Sequence, residues 1–241
     1  MNARLAMVAS CCVSCGRVGF DELTADTRLG PGGDGDTTKI SLVQSGPVQA
    51  VSAGDLVLTL TAPSTSGTLL VATLSMGDLN LSAVPPSWTI AVDTGTFVIC
   101  YIAIAYYPNN PGGIMSVTFS LGAGAASAGQ LSEWSGVALT SPHDQSGFNT
   151  TASASTAVVA TNGAITSTDE LAITSFCQYA ANPSFSPEMG WTNLGAYGAP
   201  TSFTSSLTTD FQLGPAVGSV RETQTTSVPA QWAGVIATFR P

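Results

Sequence analysis

Charge is what this chain has least of. Only 9% of its 241 residues are Asp, Glu, Lys or Arg, where an average soluble domain carries roughly 25%. Lys and Arg number six and histidine one, against fifteen acidic residues, for a formal net charge of −9. So few cations exclude a nucleic-acid partner, because neutralising phosphates takes clustered Lys and Arg. The same deficit excludes electrostatic docking on anionic lipid. With His143 as its one histidine and no G-x-S-x-G elbow, the chain lacks the ordinary serine–histidine machinery and the ligands of a histidine-rich metal site. No apolar run approaches the roughly 20 residues of a membrane-spanning helix. No useful stretch sustains a 3.6-residue apolar stripe either.

Turn formers and short apolar runs fill the space instead. Glycine (25 residues) and proline (14) punctuate the chain often enough to favour strands over helices. Leu56–Leu60 and Leu69–Leu74 are apolar runs bounded by Gly, Pro and Ser. From Phe97 to Tyr107 both alternating faces are apolar, which predicts a strand buried on both sides. Met115, Val117, Phe119 and Leu121 alternate with polar residues, predicting a half-exposed strand. The same pattern at Phe203, Leu207, Phe211 and Leu213, against Thr204, Ser206, Thr208 and Gln212, predicts another. The chain reads as all-β.

Its two halves read as copies. Leu171 in Glu170–Thr174 follows Leu69 in Thr68–Ala72 by 102 residues, and Trp191 follows Trp88 by 103. Ala233–Phe239 matches Ala128–Trp134, with Phe239 placed 105 residues after Trp134. Three blocks in one order with slowly drifting offsets imply an internal duplication. Trp88 and Trp191 follow Pro-rich loops and are expected to be core anchors over the end of a sandwich.

The order of a strand, Pro85-Pro86-Ser87-Trp88-Thr89, a long apolar strand, Trp134-Ser135-Gly136-Val137, Ser141-Pro142-His143-Asp144 and a closing Thr238-Phe239-Arg240-Pro241 resembles a β-sandwich module of bacterial secreted proteins and of phage tail or virion-associated proteins. The resemblance covers about residues 40 to 241. It implies a jelly-roll-like antiparallel β-sandwich, here built from two pseudo-repeated halves, at about 38–140 and 141–241. It implies an accessory role and brings no catalytic residues. This chain departs from the pattern in having Trp134 for the usual tyrosine and no glycine before Trp88.

Ahead of the sandwich, residues 1–15 place Arg4 before a short apolar stretch, then Val8-Ala9-Ser10-Cys11. That tetrapeptide is similar to a bacterial lipobox, which makes Cys11 the expected lipid-attachment site, with Cys15 the alternative. An ordinary leader or a structured terminus are the competing readings, since the apolar stretch is short. Residues 16–37 are acidic and rich in Gly and Pro, the composition of a solvated linker.

Candidate ligand-binding residues are those the repeat leaves unexplained. Glu133 lies beside Trp134 on a strand, and the second copy has Thr238 in its place. His143 and Asp144 occupy the turn joining the copies, where the aspartate is expected to cap backbone N–H groups. The other carboxylates, among them Asp169, Glu170, Glu188, Asp210 and Glu222, are scattered and cannot be paired from sequence. Cys100 and Cys177, both in apolar runs, are expected to be buried free thiols, with a disulfide between them the alternative if the domain is exported. These features imply no cofactor, no metal and no enzyme. They suit a bacterial cell-envelope or secreted module, touching membrane only through a lipid anchor. Its partner would be a carbohydrate or a surface protein. The alternative is a self-associating structural subunit of an extracellular appendage, phage tail or virion-like particle.

Overall fold

Short Leu-, Val- and Ile-rich runs broken by Gly, Pro and Asn turns become strands, and no helix occurs among the described residues. A computed structural model describes residues 39–77, 81, 83–95, 100–121, 126–200 and 205–241. The expected leader and linker, with Cys11 and Cys15, lie outside them, as do Phe97–Ile99, Phe203 and Thr204. In chain order the strands are β1 (Ser41–Ser45), β2 (Gln49–Val51), β3 (Leu56–Thr59), β4 (Leu69–Met76), β5 (Thr89–Asp93), β6 (Tyr101–Tyr107) and β7 (Ser116–Phe119). There follow β8 (Ser127–Ser135), β9 (His143–Ala160), β10 (Leu171–Gln178), β11 (Phe185–Pro187), β12 (Thr192–Tyr197), β13 (Leu207–Leu213) and β14 (Arg221–Phe239).

One sheet runs β1-β8-β4-β6-β5, with β2 on the start of β8; the other runs β9-β14-β10-β13-β12, with β11 also on β14. A separate pair, β3 and β7, lies beyond the first sheet. All these pairings are antiparallel. The architecture is an antiparallel β-sandwich.

The two sheets share more than strand order. Leu69 pairs with Trp134 as Leu171 pairs with Phe239, and Thr89 pairs with Tyr106 as Thr192 pairs with Phe211. Each edge strand carries its bulge at the corresponding step, between Ile90 and Val92 and between Asn193 and Gly195. The turns into the tryptophans also correspond, Trp88 N–H bonding to Pro85 O at 3.1 Å and Trp191 N–H to Glu188 O at 3.3 Å. The left-handed position before the tryptophan is Gly190 in one sheet (φ 100°) and Ser87 in the other (φ 71°). Gly46 and Gly147 each sit where a Cβ would collide with a backbone carbonyl, of Thr59 and of Ala160.

Alternation along β4 explains its uninterrupted apolar run. Leu69 and Val71 point between the sheets, meeting Ile102, Ile104 and Trp134 from one side and Leu171, Ile173, Val235 and Phe239 from the other. Leu70, Ala72, Leu74 and Met76 face the β3–β7 pair, packing with Leu56, Leu58 and Phe119. β6 is buried on both faces for the same reason, as its pattern predicts. Trp88 closes this outer core against Phe119, with ring centroids 5.5 Å apart, and Trp191 has the equivalent place in the second. In the second half the outer ends of β9 and β14 cover the sheet, Ala157, Val159 and Val220 packing on Ala172, Phe176 and Ile236.

Two expectations need correction. Ser206 and Thr208 on and beside β13 are fully buried rather than solvent-facing. Their polar face lies under the β9–β14 cover, where internal hydrogen bonds replace water. Cys100 and Cys177 are not free thiols. They form a disulfide between the two halves, 77 residues apart in sequence, with a Cα–Cα distance of 6.6 Å.

Candidate functional site

The four side chains singled out in the sandwich go to different places. Glu133 and Trp134 are fully enclosed. Burial of Glu133 follows from its place on β8, the strand between β1 and β4. Its carboxylate accepts from Thr65 N–H at 2.6 Å, Thr68 Oγ1 at 2.8 Å and Gln44 Nε2 at 2.6 Å. A buried carboxylate with three donors is a satisfied structural hub. Trp134 donates from Nε1 to Ser132 Oγ at 2.9 Å and meets Phe211 edge-on at 5.0 Å. Neither offers a ligand a surface, so the expectation that they bind one is corrected by their depth in the core.

His143 and Asp144 lie at one end of the second sheet. The register places His143 and Leu171 on opposite sides of Phe239. Their chain neighbours Asp144, Glu170 and Arg240 therefore converge. Asp144 Oδ1 stands 3.4 Å from Arg240 Nη2, an ion pair rather than the expected backbone cap. The His143 ring lies 6.0 Å from that of Tyr106 and 6.1 Å from that of Phe239, and its Nε2 is buried without a partner. Burial lowers its pKa, which keeps the imidazole neutral.

Glu170 is the centre of this cluster. It is 1% exposed, and its carboxylate lies against the side chains of Thr238 and Asp144, its hydrogen-bonding neighbours. The groups facing it are Thr238, Asp144 and Arg240. Burial, and after it the neighbouring Asp144 carboxylate, push Glu170 up to about 7, against the pull of Thr238 and Arg240. Glu170 also lines a cleft of about 260 Å³ together with Lys39, Ile40, Thr168, Asp169, Leu213 and Gly214.

The corresponding registers give this arrangement a counterpart in the first sheet. There Thr68 precedes β4 and Glu133 lies opposite on β8; in the second sheet Glu170 precedes β10 and Thr238 lies opposite on β14. Glutamate and threonine have exchanged strands. The first glutamate is saturated by internal donors and the second borders a cleft. The sequence carried a trace of this, since the matched blocks set Thr68 against Glu170 and Glu133 near Thr238.

A second acidic cluster lies deeper, between the second sheet and its β9–β14 cover. Gln224 Nε2 donates to Asp210 Oδ2 at 2.7 Å and to Glu222 Oε1 at 2.6 Å. Asn193 Nδ2 donates to Asp210 Oδ1 at 2.8 Å, Thr208 Oγ1 to Asp210 Oδ2 at 3.1 Å, and Thr174 Oγ1 to Glu222 Oε2. All but Asn193 are fully buried. Burial raises both carboxyl pKa values, and the Asp210 charge raises that of Glu222 further. At the corresponding positions the first half has Ala72, Ala105, Val117 and Phe119, all apolar. Pairing of these carboxylates was invisible in sequence, because Asp210 and Glu222 come from different layers.

Among the described residues no group of three His, Cys, Asp or Glu side chains is placed to hold a metal ion. Chemically, the Asp144–Glu170 cluster can hold a proton or receive a hydrogen-bond donor, whereas the Asp210–Glu222 cluster is closed to solvent. Comparison with known protein families, curated proteins and solved structures gives no match.

Proposed function

We propose that this chain is a non-catalytic, extracytoplasmic β-sandwich, anchored by lipid at Cys11 and acting at a bacterial cell surface as a binding or adhesion module. The observation that carries this reading is the Cys100–Cys177 disulfide, with both cysteines buried in the core between the sheets. Such bonds form and persist in oxidising compartments outside the cytoplasm. The lipobox-like Val8-Ala9-Ser10-Cys11 supports the same address. The matching registers and bulges support descent of the two halves from one duplicated unit, which leaves the differences between them as the sites of acquired function. His143 is wedged against Tyr106 and Phe239, an arrangement that suits packing better than proton transfer to a nucleophile.

Determining the mass of the mature N-terminus tests the proposal. It predicts a diacylated Cys11, uptake of labelled palmitate, and release from the envelope in Cys11→Ala. An unlabelled protein whose location ignores Cys11→Ala overturns the anchor. Ordered assemblies of purified protein in micrographs would favour a structural subunit of an appendage, tail or particle.

A further inference from the structure

We propose that the β9–β14 cover of the second sheet is a pH-operated element, released from its sheet as pH rises while the β3–β7 pair of the first half stays seated. The inference is independent of the binding-module reading.

The two covers share a register and are sealed differently. In the first, Leu56 pairs with Phe119 and Leu58 with Val117; in the second, Ala157 pairs with Gln224 and Val159 with Glu222. All eight side chains are buried. At each position the second cover has the smaller or the more polar residue, so less apolar surface holds it down. The sheet beneath changes in step, with Thr174 and Asp210 where the first has Ala72 and Ala105. A seam that is apolar in one half holds two carboxyl groups in the other.

Those carboxyl groups come from opposite sides of the seam. Asp210 belongs to β13 and Glu222 to the cover, and Gln224 Nε2 donates to both. Their other partners, Asn193, Thr208 and Thr174, are uncharged, and β9 brings only Ala157 and Val159 against Gln224 and Glu222. The one further charge acting on Glu222 is that of Glu188, and no cation acts on either acid. With one proton kept between them the pair is tolerated; with none, two like charges oppose each other out of water. Once the cover lifts, water solvates both acids and they ionise as ordinary carboxylates. Opening therefore releases a proton, and rising pH favours it.

An irregular step in the ladder separates the cover from the rest of its strands. β14 advances from Thr225 to Ala230 while β9 moves only from Thr156 to Ala154, and Ser227, Val228 and Pro229 are exposed there. Beyond this step the two strands pair within the sandwich, down to His143 and Phe239. A segment bounded in this way and held by few large apolar contacts can open by itself. Its release bares the apolar face around Phe176 and Ile236.

Amide hydrogen exchange of the intact, disulfide-bonded protein at pH 6, 7 and 8, corrected for intrinsic exchange rates, tests this. Protection in 154–160 and 221–226 should fall about tenfold per pH unit, because one proton leaves on opening. Protection in β3 and β7 should hold. Glu222→Gln should remove the pH dependence of the second cover. Glu222→Val, which installs the first half's residue at this position, supplies the same test if that variant misfolds. Equal loss from both covers would show global unfolding and overturn the proposal. So would protection of the second cover that ignores pH, or a dependence that survives either substitution.

Discussion

Asp210 and Glu222 are held together by a single amide: Gln224 Nε2 lies 2.7 Å from one carboxylate and 2.6 Å from the other. Two buried carboxyl groups in such proximity cannot both ionise cheaply, so the pair retains a proton near neutrality. This cluster has a direct consequence for stability.

A carboxyl group whose folded pKa is raised binds its proton more tightly folded than unfolded. Its contribution is fully present below the unfolded carboxylate range of about 4 and is lost as pH rises through the folded value. Because Asp210 and Glu222 are both raised, melting temperature should fall as pH increases above 5. Glu222→Gln removes the titrating member with the higher affinity for the proton. Melting curves at successive pH values should show a flatter profile for the variant, with its advantage largest at alkaline pH. Parallel profiles would show that the pair is not the source of the dependence.

Removing the bridging amide is expected to be worse than removing a charge. Gln224→Ala leaves both carboxylates short of a donor and opens a cavity in a fully buried site. The loss should be about 2–4 kcal/mol by urea unfolding at pH 7, and smaller at pH 5 where both acids are protonated. Equal losses at the two pH values would contradict the bridging role.

The disulfide between Cys100 and Cys177 closes a long loop and joins the two halves through the core. Reduction, or the double variant Cys100→Ala with Cys177→Ala, should cost about 2–4 kcal/mol. Denaturant titration with and without reductant measures it. Thiol counting in the denatured, unreduced protein should find neither of these cysteines reactive.

Ser87 has a left-handed backbone at φ 71°, where the corresponding residue is Gly190. An L side chain there is strained, and Ser87 is exposed. Ser87→Gly should stabilise the protein by about 0.5–1 kcal/mol, and Gly190→Ser should destabilise it by a similar amount. Thermal melts of the two variants should move in opposite directions. A fall in both would assign Ser87 a role its geometry does not show.

Much of the scaffold was legible in the sequence, because hydrophobic periodicity reports the faces a strand must bury. The run ending at Tyr107 announced a strand covered on both sides, and the alternation from Met115 to Leu121 a strand with one wet face. That signal misled at Ser206 and Thr208. A polar alternation looks the same whether the polar face meets water or a buried network, and only the β9–β14 cover makes the difference. Glu133 misled for a related reason. Its donors, Thr65, Thr68 and Gln44, come from distant parts of the chain, so its saturation cannot be read locally.

By itself the sequence determined that the chain is all-β, that its cores are built from short apolar strands, and that few charges are available to any site. Those properties follow from composition and local period. Tertiary structure alone decided which carboxylates meet, which cysteines bond and which glutamate borders a cleft. Antiparallel register sets those relationships by placing Glu170 beside Asp144 and Glu222 beside Asp210, and register depends on the whole sheet. A residue's neighbours in space, more than its neighbours in sequence, set its charge and its use.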